Sequence, residues 1–247
     1  MDMVLVLATG LCSYLIGSFS FARLITRLWS GKDITQFEIP VQGTADRYKV
    51  LSIGGNSVSS VLGPKAGMIV SLLDILKIFL PVLFFRLYFS PQPGYMLVSA
   101  LAGLVGHVWP LYFKFHGGTG FSAILGALLA IDPLAVLVAN ILGILLGLVV
   151  FRSLIVVSMG WIWLLIPWFW WRSGGDPVFI LFAFGINVLI ILAMIPEIKN
   201  GLKYKREGKY MEYGLGSLSS HPMGRGMLKM ARFFGFMKEE IKEIKEE

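Results

Sequence analysis

Six stretches of this chain stay apolar for as long as a helix needs to cross a hydrocarbon layer of roughly 30 Å, about 17–25 residues each, and this constrains the fold more than any other feature. They run from about Met3 to Leu28, Ala66 to Phe89, Tyr95 to Phe113, Phe121 to Phe151, Leu154 to Trp171 and Val178 to Ile195. The fourth is about 31 residues long and is broken by Asp132-Pro133, which fits two short crossings joined by a tight turn better than one long helix. The expected architecture is therefore all-α and polytopic, with about seven transmembrane helices and the termini on opposite sides. A composition of 56% hydrophobic and 15% charged residues disfavours a soluble enzyme or a disordered chain. The chain opens Met1-Asp2 without a basic segment, so no cleaved signal peptide is expected. Cys12 is the lone cysteine, set within an apolar run, so neither a disulfide framework nor a cysteine metal site is expected.

The net charge of +7 could indicate nucleic acid, but the basic residues cluster by loop. Of 22 Lys and Arg, six lie between Arg23 and Lys65, one is Lys114, one is Arg152 and eleven follow Ile195, whereas the alternate loops hold only Arg86 and Arg172. The positive-inside rule then places the N-terminus outside and the tail in the cytoplasm, and explains the charge without nucleic acid. Residues 1–200 form the transmembrane domain and 201–247 a basic cytoplasmic tail. Within the tail, about Met227 to Lys245 reads as an amphipathic helix that lies on the bilayer or folds back on the cytoplasmic loops.

Charged groups inside the hydrocarbon cost roughly 2.5–3.5 kcal/mol each, so Asp74 and Lys77, three apart on the second span, require a purpose. They either neutralise each other and lock neighbouring helices or line a polar cavity open to the cytoplasm. No further acids lie in other spans to form a proton relay, and no paired broken helices are apparent, so a proton-driven transporter is disfavoured.

The turn Gly106-His107-Val108-Trp109-Pro110-Leu111-Tyr112-Phe113-Lys114-Phe115-His116-Gly117-Gly118-Thr119-Gly120 carries most of the chemistry. Its glycines expose backbone N–H groups at a helix start, which suits an anion, and Lys114 and His116 add donors. The alternative is that the glycines only permit a tight re-entry into the bilayer. A second segment, Ser52-Ile53-Gly54-Gly55-Asn56-Ser57-Val58-Ser59-Ser60, shares the first cytoplasmic loop with Arg47, Lys49 and Lys65. Together the two loops could floor a phosphate site at which a hydroxyl attacks an activated acyl group without a protein nucleophile. No Gly-x-Ser-x-Gly elbow occurs, so the serines read as turn residues rather than as a serine hydrolase site.

These residues resemble the bacterial integral-membrane glycerol-3-phosphate acyltransferases that use acyl phosphate. The likeness covers roughly the first 150 residues. It is carried by Tyr14-Leu15-Ile16-Gly17-Ser18 with Phe21 and Leu24, Gly31-Lys32-Asp33-Ile34, Leu62-Gly63-Pro64-Lys65-Ala66-Gly67, Leu73-Asp74-Ile75-Leu76-Lys77 and the Gly106 to Gly120 turn. The resemblance implies transfer of an acyl group from acyl phosphate to glycerol 3-phosphate, giving lysophosphatidic acid. It implies catalytic positions at Asn56 and Ser57, phosphate binding by Lys114, Gly117, Gly118, Thr119, Arg47 and Lys49, and supporting roles for Asp74, Lys77 and His107. It implies no cofactor and no metal. The partners implied are the two substrates and the bilayer, with other lipid-synthesis enzymes as further candidates, and the location implied is a cell (plasma) membrane.

The chain departs from the family at charged positions. Counting back from Gly63, Gly54 to Val58 occupies the family's Gly-Ala-Thr-Asn-Val, which leaves Ser60 in place of an arginine; a gapped reading sets Gly55-Asn56 on the preceding Gly-Asn instead. Thr119 replaces the glycine-loop lysine, and Pro196-Glu197-Ile198-Lys199-Asn200 stands where the family has His-x-x-Asn. Each lost charged bond to phosphate removes roughly 1.5–3 kcal/mol, which Lys199, Lys203, Lys205 or Arg206 would have to restore. The alternative reading is a catalytically silent or substrate-shifted member that binds an anionic lipid or scaffolds lipid enzymes.

Overall fold

A computed structural model describes residues 2–40, 47–89 and 91–235. The chain is an all-α, multi-pass membrane protein. Its helices are α1 (Met3–Gly17), α2 (Phe21–Ser30), α3 (Gly55–Leu62), α4 (Pro64–Tyr88), α5 (Gly94–Val108), α6 (Phe121–Ile131), α7 (Pro133–Leu145), α8 (Leu154–Arg172), α9 (Pro177–Ala193), α10 (Ile195–Arg206), α11 (Tyr210–Ser219) and α12 (Pro222–Phe233). A small antiparallel hairpin, β1 (Glu38–Pro40) and β2 (Arg47–Lys49), interrupts the first loop with Glu38 opposite Lys49.

Five described segments are long and apolar enough to cross a membrane: Met3–Ser30, Pro64–Tyr88, Gly94–Phe113, Pro133–Val150 and Leu154–Arg172. A sixth is α9 with α10, bent by 45°. The expected break at Asp132-Pro133 is where α6 ends and α7 begins. Asp132 caps α7 by accepting the Leu134 N–H, and Pro133 takes the first helical position, where its missing donor costs nothing. However, α6 has 11 residues, about 16 Å of helix, so it is too short to cross alone.

The first span is also not continuous. α1 stops at Ser18 and α2 restarts after Ser20, whose hydroxyl accepts the Arg23 N–H. Lipid cannot satisfy the backbone freed at such a break, so protein groups must. Lys77 Nζ donates to the Phe19 carbonyl at 2.7 Å, and the Ser18 hydroxyl donates to Tyr14 O at 2.8 Å.

The core lies between α4, α5, α6, α8 and α9, where Ile78, Leu104, Ile124, Leu128, Leu165, Phe169, Phe182 and Ile186 are buried together. Outward faces carry Leu7, Leu11, Leu72, Leu80, Leu137, Trp163 and Trp170, exposed as lipid-facing side chains must be. Because lipid is as apolar as leucine, association of these helices depends on close packing rather than on transfer from water. α1 and α5 approach through Gly17, Gly103 and Gly106: a Cβ at Gly17 would strike the Gly103 carbonyl, and one at Gly106 the Tyr14 carbonyl. The Ser13 and Ser99 hydroxyls bond across the same crossing at 2.8 Å.

The loops gather at two ends. At one, the Asp2 N–H donates to the Tyr95 hydroxyl at 2.8 Å, Arg86 donates to the Ala130 carbonyl, and Asp132 meets Arg172 and Trp168. At the other lie the 109–120 turn, α3 and the helices after α9, linked by Ser60 and Ser220 at 3.1 Å. α12 begins at Pro222, and its Met227 is buried with Leu148 and Val157 beneath α7 and α8, so this helix folds onto the bundle. Residues 236–247, the rest of the amphipathic stretch read from the sequence, lie outside the described residues.

Candidate functional site

The site begins just past the break in the first span, on α2 and the loop that follows it. Arg23 on α2 donates to Asp33 at 2.8 Å and to the His116 carbonyl at 3.4 Å, and its guanidinium lies 4.9 Å from the centre of the Phe113 ring. Arg27 pairs with the other Asp33 oxygen at 3.0 Å. Burial raises the Asp33 pKa, but hydrogen bonds from the Thr35 N–H and hydroxyl, with the Arg23 charge, outweigh it and hold the carboxyl below its usual range.

The 109–120 turn is anchored to α1. Tyr14 donates its hydroxyl to the Trp109 carbonyl at 3.0 Å, and the Leu111 N–H donates to Ser18 Oγ at 3.3 Å. Beyond this anchor, Lys114 and Phe115 both have left-handed backbones, with φ of 52° and 59°. Such conformations are unfavourable for residues with a Cβ and concentrate where surrounding structure holds a loop in a working shape. Lys114 is exposed on this loop, and its carbonyl lies 3.2 Å from His116 Nδ1.

The two glycine segments meet. The Ile53 N–H donates to the Gly117 carbonyl at 2.9 Å, and the Gly118 N–H to the His107 carbonyl at 3.2 Å. A Cβ at Gly118 would strike His107 Nε2 and approach the Ile53 carbonyl to 2.7 Å, so this contact needs glycine. The Gly118 amide, read from the sequence as one of the anion donors, is thus committed to holding the loop. Among the described residues, no backbone bond from the N–H of Gly117, Thr119 or Gly120 is formed.

Beneath the loop, Asp74, Lys77 and His107 are buried together, with Lys77 Nζ and His107 Nδ1 at 2.8 Å and 3.7 Å from Asp74 Oδ1. Lys77 ties α4 to the break in the first span through the Phe19 carbonyl, and Asp74 faces His107 of α5 at 3.7 Å, beyond hydrogen-bond reach.

Asn56 is exposed on the first turn of α3, and Ser57, half-buried beside it, donates its hydroxyl to the Ser52 carbonyl. Thr119 is half-buried in the glycine loop. Arg47 and Lys49 are exposed on β2, and the bonds that join the glycine segments do not include them. Among the described residues there is no group of three His, Cys, Asp or Glu placed to hold a metal. The residue that sequence reasoning missed is Arg23. In the sequence it counts only among the basic residues of the first cytoplasmic loop, and its bond to His116 joins positions 93 residues apart, which hydropathy does not register.

A family model described as Glycerol-3-phosphate acyltransferase matches residues 7–204. The Glycerol-3-phosphate acyltransferase of Albidiferax ferrireducens is 35% identical over 134 residues, covering 53% of this chain and 55% of the relative. That of Myxococcus xanthus is 35% identical over 132 residues, covering 53% and 63%. That of Staphylococcus aureus is 32% identical over 147 residues, covering 56% and 67%. The chain therefore spans less than two thirds of the length of the first two relatives. Among solved structures, PlsY (YgiH), an integral membrane glycerol 3-phosphate acyltransferase, is similar in its glycerol 3-phosphate form, with a TM-score of 0.61 and 28% identity over 83% of this chain and 93% of that one. Its lysophosphatidic acid form gives a TM-score of 0.62 and 25% identity over the same shares.

Proposed function

Because this chain belongs to the glycerol-3-phosphate acyltransferase family, we propose that it transfers an acyl group to glycerol 3-phosphate to form lysophosphatidic acid at the cytoplasmic face of the cell membrane, with acyl phosphate as donor. The observation that carries this reading is the bond from Ile53 to Gly117, which makes one surface of two loops more than 60 residues apart in the chain. On that surface Lys114 and the amides of Gly117 and Thr119 hold a phosphate, while Gly118 keeps the loop seated on His107. Asn56 positions the glycerol hydroxyl or the acyl carbonyl. Ser57, through its bond to Ser52, sets the shape of the α3 start from which Asn56 projects. Arg47 and Lys49 supply positive charge from the hairpin, and Arg23 adds a cation already braced by Asp33.

In the reaction, the acceptor hydroxyl oxygen attacks the acyl carbonyl carbon. The carbonyl–phosphate C–O bond then breaks, and the hydroxyl proton leaves with the phosphate. No protein nucleophile is needed. The chain's part is to hold two anionic groups close together, which positioning and oriented donors accomplish.

The test supplies purified protein with acyl phosphate and labelled glycerol 3-phosphate, follows lysophosphatidic acid by mass, and uses Lys114→Ala as control. Product that falls in the control supports the reading. Absence of product from folded protein favours a substrate-shifted or silent lipid-binding member.

A further inference from the structure

α9 has 17 residues, about 25 Å of helix, so it falls short of a full crossing and the first turn of α10 completes it after the 45° bend. From there α10 carries two neighbouring stripes. Ile195, Ile198 and Leu202, at i, i+3 and i+7, are exposed, the last two to about half. Lys199, Lys203 and Arg206, at i, i+4 and i+7, lie beside them and are exposed as well. With Leu202 and Glu207, these three cations line a groove of about 420 Å³. Glu207 is its sole acid and lies 4.0 Å from Lys203, so the groove keeps an excess of positive charge.

An apolar stripe beside a basic one, at the point where a span leaves the bilayer, matches a surface whose tails lie on one side and whose phosphates lie on the other. We propose that the α10 groove binds the headgroup of an anionic phospholipid from the leaflet at this end of the bundle, with Lys199, Lys203 and Arg206 on the phosphate and Ile198 and Leu202 against the acyl chains. No glycine-loop residue lines this groove, and the proposal holds whether or not these cations also serve the acyltransferase reading.

The full chain, purified in detergent, is offered phosphatidylglycerol or phosphatidylcholine, and retained lipid is counted by native mass spectrometry. The comparison is Lys199→Gln/Lys203→Gln/Arg206→Gln against Lys32→Gln/Lys229→Gln/Arg232→Gln, which removes three exposed charges elsewhere. Each basic residue near an anionic surface contributes about fivefold, so the α10 variant is expected to lose phosphatidylglycerol retention at least about tenfold. The other variant and phosphatidylcholine retention should be unchanged, with equal melting temperatures confirming folding. Equal loss in both variants, no loss in the first, or displacement of the lipid by soluble glycerol 3-phosphate would each overturn the proposal, the last by showing a site for a free phosphate instead.

Discussion

Lys77 Nζ lies 2.8 Å from Asp74 Oδ1 one turn earlier on α4 and 2.7 Å from the Phe19 carbonyl, so one ammonium group both neutralises a buried carboxylate and satisfies a break in the first span. Removing one member of such a pair strands the other charge. Lys77→Met is expected to lower stability by about 3–5 kcal/mol, and Lys77→Met/Asp74→Leu by less. Melting in detergent checks this; a double variant worse than either single would show that the pair is not a mutual neutralisation.

Gly118 is held against His107 with no room for a methyl group. Gly118→Ala should lift the loop and reduce acyl transfer more than tenfold, roughly 1.4 kcal/mol or more in transition-state stabilisation. Gly226→Ala, where a Cβ meets nothing within 4 Å, should leave activity unaltered. Initial rates of the two variants decide it.

Lys114 offers a charge to the proposed phosphate from an exposed loop, so solvent screens part of its effect. Lys114→Ala should raise the KM for glycerol 3-phosphate about tenfold, at the lower end of a charge-assisted bond. Thr119→Lys should act in the opposite direction by restoring a cation at the start of α6. Steady-state kinetics at two ionic strengths would show both effects shrinking with salt.

The carboxyl of Asp33, which braces Arg23 and Arg27, is held below the usual carboxylate range in the folded chain by its Thr35 hydrogen bonds and the Arg23 charge. A depressed folded pKa contributes stability above the unfolded value, and that stability is lost as pH falls through the folded pKa. The wild-type chain should therefore exceed Asp33→Asn in melting temperature at pH 6, and the gap should close below about pH 4. A gap independent of pH would assign the role of Asp33 to hydrogen bonding rather than to charge.

The spans, the break at Asp132-Pro133 and the glycine segments were legible in the sequence because each is a local property. A lipid-facing run must be apolar over its whole length, proline cannot continue a helix without loss, and glycine marks close backbone approach. That Asp74 and Lys77 share a face follows equally from helical spacing. What only the tertiary structure decided are the contacts between distant segments: Lys77 reaching Phe19, Ile53 meeting Gly117, Arg23 turned onto His116, and Met227 of α12 buried against Val157. Those contacts depend on which helices pack side by side and on which buried polar groups then need partners. These are requirements of packing in three dimensions that no periodicity along the chain records.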